Sequence, residues 1–275
     1  MHDIFYFTDI HGHYKLYRAI MDYCYEQDPE ATIIFGGDAI DRGGEGYKIM
    51  KELLDNPYVI YLKGNHEDMF CKAARNIKEM FNLKDADTEK IHKVLNSCKL
   101  FDYKYAAIQD SLYNGGLPTL TDWILDGMPM DLIEKVEELP LTFIYNNMDF
   151  CHAGGIYKTF KRVYDKEYNN EKVSDDDTMF LIWNRSALDE DWAPNRICVF
   201  GHTPVPYVIQ DLHLYWDDST QIQPIKLPIG MGEKIVMDTG AVFTRRAFVL
   251  NCLTMQVQGF EYENDEMKKN ELIQL

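Results

Sequence analysis

The chain is poor in positive charge and has no cysteine pairing pattern. Against 45 Asp and Glu it carries 28 Lys and Arg, for a formal net charge of −17 at pH 7 and a pI near 4.8. Such a field repels polyanions, which argues against sequence-independent binding to nucleic acid or to acidic membranes, and it attracts metal cations. The six cysteines, at positions 24, 71, 98, 151, 198 and 252, include no C-x-x-C. That spacing suits reduced thiols in a cytosolic protein better than a disulfide frame or a zinc ribbon. No apolar run approaches the ~18 residues of a membrane span, and the first residues lack the basic region and small-residue site of a signal peptide. The expectation is a cytoplasmic protein with no membrane partner. At 275 residues and 46% hydrophobic content, the chain can fill the core of one large domain, 1–275.

What is present is organised around Gly36-Gly37-Asp38-Ala39-Ile40-Asp41-Arg42-Gly43-Gly44, which follows the apolar run Thr32-Ile33-Ile34-Phe35. A β-branched run ended by paired glycines predicts a buried strand turning sharply into a loop at its carboxyl end, where α/β sheets place ligands. Upstream, Ile4-Phe5-Tyr6-Phe7 leads into Thr8-Asp9-Ile10-His11. Residues i and i+2 of an extended segment share a face, so Asp9 and His11 can converge on one point, as two ligands of a metal must. Downstream, Tyr58 to Leu62 runs into Gly64-Asn65-His66-Glu67, which opens a helix. Strand–helix–strand alternation predicts a largely parallel sheet with its strand-end loops along one edge.

From about 76 to 138 the pattern loosens into helical segments, read as a mostly helical insertion covering one side of that edge. Its Tyr103, Tyr105, Tyr113 and Trp123 could stack a base or hold a peptide, but aromatics in such a segment are more often core, and they are assigned there. The sheet resumes with a hairpin at 141–151 that delivers His152. The acidic run Asp165 to Asp177 reads as a solvated loop, and Arg185 ends the apolar run 180–183. Strands at 197–200 and 235–237 deliver His202 and Asp238, a strand over 247–252 closes the fold, and residues 261–275 read as a polar, mobile tail.

Five strand ends therefore deliver Asp9 with His11, Asp38, Asn65 with His66, His152, and His202. Together with Gly37-Asp38-Ala39-Ile40-Asp41-Arg42-Gly43, His152-Ala153-Gly154-Gly155 and Gly201-His202-Thr203-Pro204, this ordered set resembles the calcineurin-like metallophosphoesterases. The branch it resembles most holds the phosphoprotein Ser/Thr phosphatases, with the small phage and bacterial protein phosphatases, and the bis-tetraphosphate hydrolases. The resemblance implies an α/β fold, a β-sandwich flanked by helices. It also implies two divalent metal ions, one held by Asp9, His11 and Asp38 and the other by Asp38, Asn65, His152 and His202. Mixed oxygen and nitrogen ligation suits Mn²⁺ best, or Fe or Zn²⁺. A hydroxide bridging the two ions would attack the phosphorus directly. Arg42, Arg185 and Asn65 would bind the phosphate. His66 would protonate the leaving oxygen, oriented by Asp41.

The family pattern is not matched everywhere. Thr8 replaces the usual Gly or Ser, where it is read as changing turn geometry only, and no second histidine follows two residues after His202. The second departure favours a phosphomonoesterase acting on phosphorylated proteins or small phosphate esters. The alternative implied by the resemblance is a nucleotide or dinucleoside polyphosphate hydrolase, and His11, standing where those hydrolases usually carry Gln, weighs against it.

Overall fold

In a computed structural model the described residues are 2–98, 102–185, 191–211, 223–229, 232–264 and 266–275. In chain order they form β1 (Ile4–Phe7), α1 (Tyr14–Gln27), β2 (Thr32–Phe35), α2 (Gly46–Asp55), β3 (Val59–Tyr61), α3 (Asn65–Met80), α4 (Thr88–Ser97), α5 (Ala106–Tyr113), α6 (Leu117–Leu125) and α7 (Met130–Glu137). There follow β4 (Thr142–Tyr145), β5 (Met148–Cys151), α8 (Tyr157–Tyr168), α9 (Asp175–Trp183), β6 (Ile197–Phe200), α10 (Val205–Asp211), β7 (Ile225–Ile229), β8 (Gly232–Val236), α11 (Ala241–Thr244), β9 (Arg246–Asn251), β10 (Gln256–Glu263), β11 (Glu266–Lys269) and β12 (Ile273–Gln274). None of these helices is long and apolar enough to cross a membrane.

Two mixed sheets result. One has the order β11-β10-β9-β1-β2-β3 with β12 paired to β10, and the other β4-β5-β6-β8-β7. Strands β1, β2 and β3 are mutually parallel, as are β5, β6 and β8. The period-two side chains explain the layering. Tyr6 and Ile34 point into the interface between the sheets, where they meet Phe150, Val199 and Ile235 of the second sheet. Their neighbours Phe5, Phe7, Ile33 and Phe35 face the opposite way, into a core shared with α1, α2, α3 and the helices of 88–137. On the outer face of the second sheet Cys198 and Phe200 pack on Phe160, Leu181 and Val208. The molecule is thus the helix-flanked β-sandwich expected, with the single parallel edge of the sequence reading split between two sheets.

Three local expectations fail. The acidic run 165–177 is not a solvated loop, since Asp165 lies in α8 and Asp175 to Asp177 form the first turn of α9, where acidic side chains suit the helix dipole. The Ser174 hydroxyl accepts from the Asp177 N–H, and Arg162 pairs with Asp177. The segment 261–275 is not a loose tail. Within it β11 pairs antiparallel with β10 although all four of its side chains are exposed, and a strand wet on both faces leaves no alternation to read. Tyr103 and Tyr113, assigned to a core, are 98% and 69% exposed, whereas Trp123 is buried as expected.

Candidate metal centre

The loops after β1, β2, β3, β5 and β6 meet where the two sheets come together. The Asp9 N–H donates to the Gly37 carbonyl, the Gly201 N–H to the His152 carbonyl, and the His202 N–H to both Asp9 carboxylate oxygens at 3.1 and 3.2 Å. Gly37, at φ +99, could carry no side chain, because a Cβ there would lie 2.7 Å from the Gly64 nitrogen and 2.8 Å from the His152 ring. Asp9, His11, Asp38, Asp41, Arg42 and His202 all have positive φ. That conformation costs a non-glycine residue about 1–3 kcal/mol, and such strain clusters at functional sites.

Asp38 is the hub, buried and with each oxygen turned to a different set of imidazoles. Oδ1 lies 3.4 Å from His152 Nε2, while Oδ2 lies 3.6 Å from His11 Nε2 and 3.8 Å from His66 Nε2. Potential ligand atoms of Asp38, His152 and His202 fall within 4.8 Å of one another, and so do those of His11, Asp38 and His66. Asn65 completes the first set, its Oδ1 being 3.0 Å from both His152 Nε2 and His202 Nδ1. The structure brings His66 into the second set. Asp9, expected there, is not among those three, and its carboxylate accepts from the His202 N–H and from the Thr8 hydroxyl at 2.6 Å. Thr8 therefore does more than shape a turn.

Donor accounting tests whether these residues suit a cation. His152 Nδ1 donates to the Gly36 carbonyl at 2.8 Å, and His11 Nδ1 to the Ile40 carbonyl at 3.0 Å. In the neutral rings this leaves each Nε2 a lone pair aimed at further acceptors, an arrangement that needs positive charge between the partners. His152 shows that demand. Burial alone would lower its pKa, yet Asp38 and Asp9 carry it up to about 10. Asp38, which burial alone would raise, is instead held well below the usual carboxylate range by His152, His66 and His11. The residues fit divalent cations with mixed oxygen and nitrogen ligation.

At the second set a guanidinium meets the same demand. Arg42 Nη1 lies 2.8 Å from His11 Nε2, and Arg42 Nη2 lies 3.0 Å from His66 Nε2. His66 Nδ1 donates to Asp41 Oδ2 at 2.7 Å. Burial opposes charging the His66 ring, but Asp38 and the bond to Asp41 prevail and raise its pKa. Arg185 is exposed, reaches the Thr203 hydroxyl at 3.2 Å, and shares with Arg42 and His202 a cleft of about 660 Å³.

The sequence reading missed what holds this centre still. Glu67, fully buried, accepts from the Asp38 N–H at 2.9 Å, the Gly64 N–H at 3.0 Å, the Ala39 N–H at 2.9 Å and the Tyr61 hydroxyl at 2.7 Å. Its place three residues after Gly64 was the available signal, since a glutamate there can reach back to the helix start. The insertion braces the neighbouring turn, the Arg42 N–H donating to the Gly115 carbonyl at 2.9 Å and the Asp41 N–H to the Thr119 hydroxyl at 3.1 Å. No local pattern marks Thr119.

Comparison with known proteins agrees with this geometry. No curated protein matches the chain. Among solved structures it resembles a putative diadenosine tetraphosphatase (TM-score 0.50, 13% identity, 98% of this chain and 93% of that one). It also resembles a point mutant of a cold-active protein tyrosine phosphatase (TM-score 0.52, 14% identity, 98% and 81%). At such identities the likeness shows the fold alone. The family profile for calcineurin-like phosphoesterases matches residues 2–227, and the chain, with its histidines and aspartates gathered at the ends of the sandwich strands, belongs to that family of phosphoesterases.

Proposed function

We propose that the chain is a dinuclear metal-dependent phosphomonoesterase, similar to the Ser/Thr protein phosphatases, which hydrolyses phosphorylated proteins or small phosphate esters in the cytoplasm. The observation that carries this reading is Asp38, whose two oxygens face two separate ligand sets beside a cleft holding two arginines.

Asp38, Asn65, His152 and His202 would hold one ion, and Asp9, His11 and Asp38 the other, with Mn²⁺ the best match to the donors. When bound, two divalent cations neutralise phosphate charge and supply an acidified water as nucleophile. The protein's own groups do the rest. Arg42 and Arg185 offer planar N–H forks to the phosphate oxygens, and Asn65 offers its amide. His66, held by Asp41 through Nδ1, carries a proton on Nε2 toward the leaving oxygen. That proton and the present Arg42 contact exclude each other, because Nε2 cannot accept from a guanidinium while protonated. Movement of Arg42 onto a phosphate would thus leave His66 free to act as the acid.

Steady-state kinetics with Mn²⁺ on phosphopeptides, simple monoesters, nucleotides and dinucleoside tetraphosphates test the reading. Phosphopeptides or monoesters should show the highest kcat/KM, since the net charge of −17 penalises a long polyphosphate. A preference for the dinucleotide of roughly tenfold or more, beyond what such a field effect explains, would favour the polyphosphate hydrolase instead.

A further inference from the structure

The cleft that holds Arg42 and Arg185 has a second lining of different chemistry. Tyr113 at the end of α5, Tyr207 on α10 and Phe243 on α11 border it and are 69%, 53% and 71% exposed. Single exposed aromatics are ordinary, but these come from three separate elements to one cavity. None of the three belongs to the apolar cores. Besides the arginines and His202, the polar lining among the described residues includes only the neutral side chains of Asn114 and of Thr203, whose hydroxyl Arg185 holds, so a flat uncharged group can enter without stripping water from a further charge. At about 660 Å³ the cleft lies within the range of small-molecule sites, about 300–1,000 Å³.

We propose that this cleft selects phosphate monoesters whose leaving group carries a planar aromatic ring, as a phosphotyrosyl side chain or a nucleoside 5′-phosphate does. The inference rests on the phosphomonoesterase reading and names its substrate class. The guanidinium groups take the phosphate dianion, and the aromatic rim takes the ring in offset or edge-to-face contact, a geometry that an alkyl group such as the serine methylene cannot use. In the reaction, water supplies the fourth oxygen of the released phosphate. The P–O bond to the leaving group breaks with its electron pair on the leaving oxygen, and that oxygen takes a proton.

The test uses the full chain with Mn²⁺ and two substrate pairs: phosphotyrosine and phosphoserine peptides of one sequence, and adenosine 5′-monophosphate against ribose 5-phosphate. Phenols leave more readily than alkoxides, so the readout is the change in each kcat/KM ratio on removing rings. The double substitution Tyr207→Ser with Phe243→Ser should cut the aromatic-to-ring-free ratio of at least one pair by roughly three- to tenfold, the worth of one or two aromatic contacts. The pair that moves identifies the source of the ring. Tyr168→Ser, on α8, exposed and outside the cleft, should leave both ratios in place. Independently of any variant, phenylphosphonate should inhibit the wild type more tightly than methylphosphonate. Unmoved ratios, or equal inhibition by the two phosphonates, would overturn the ring selection alone. Failure of the wild type to hydrolyse any of the four substrates would overturn the phosphomonoesterase reading and this inference with it.

Discussion

Glu67→Gln keeps the shape of the side chain that clamps the central loop and changes one acceptor into a donor. If the new nitrogen takes the Oε2 place, it confronts the Asp38 and Gly64 N–H groups, two backbone donors that have no other acceptor there. If it takes the Oε1 place, it confronts the Ala39 N–H and the Tyr61 hydroxyl, and only the hydroxyl can rotate to accept. The second orientation is cheaper. It leaves one buried backbone N–H unpaired, at about 1–3 kcal/mol. Loss of charge assistance on the two remaining N–H contacts adds roughly 1 kcal/mol. One term runs the other way, because burial and then Asp38 raise the Glu67 pKa, and an amide has no charge to desolvate. The net expectation is a loss of about 2–3 kcal/mol. Urea unfolding of the chelator-treated protein at neutral pH measures it, as a lower midpoint with an unchanged slope. A loss below about 0.5 kcal/mol, the range of neutral surface changes, would show that the clamp does not hold the loop.

Two further expectations concern the catalytic side of the cleft. His66→Asn should lower kcat on a phosphoserine peptide by roughly 10²–10⁴-fold and far less on p-nitrophenyl phosphate, whose leaving group needs no proton, with metal content unchanged. Asp41→Asn should show the same ordering more weakly, and equal losses on both substrates would refute the proton-donor role. Arg42→Ala should tighten Mn²⁺ binding at the His11 side by roughly two- to tenfold, because metal no longer competes with the N–H contact to His11 Nε2, worth about 0.5–1.5 kcal/mol. Calorimetric titration without phosphate reads this, and unchanged or weaker binding would refute it.

The ligand-bearing loops were legible because each follows a short apolar strand, and chemistry placed at a strand end survives errors in the surrounding topology. Asp38, Asn65, His152 and His202 are brought to one point as the strand ends suggested. Contacts between distant segments were not legible. Glu67 looks like part of a helix start, and only the folded chain shows its carboxylate on residues 38 and 39. Thr119 and Tyr113 carry no local mark of their proximity to Arg42 and its loop. Strands such as β11, exposed on both faces, lack the alternation by which strands are recognised, and Asp175 to Asp177 resemble a loop until the Ser174 cap makes them a helix start.

The shared carboxylate is the point on which the account turns, and metal analysis after Mn²⁺ loading and removal of free metal tests it most directly. The wild type should retain two ions per chain, and His11→Ala should lose mainly the ion on its own side. Asp38→Asn, which removes the charge that both ligand sets face through Oδ1 and Oδ2, should lose both. Retention of two tightly bound ions by Asp38→Asn would contradict the dinuclear assignment.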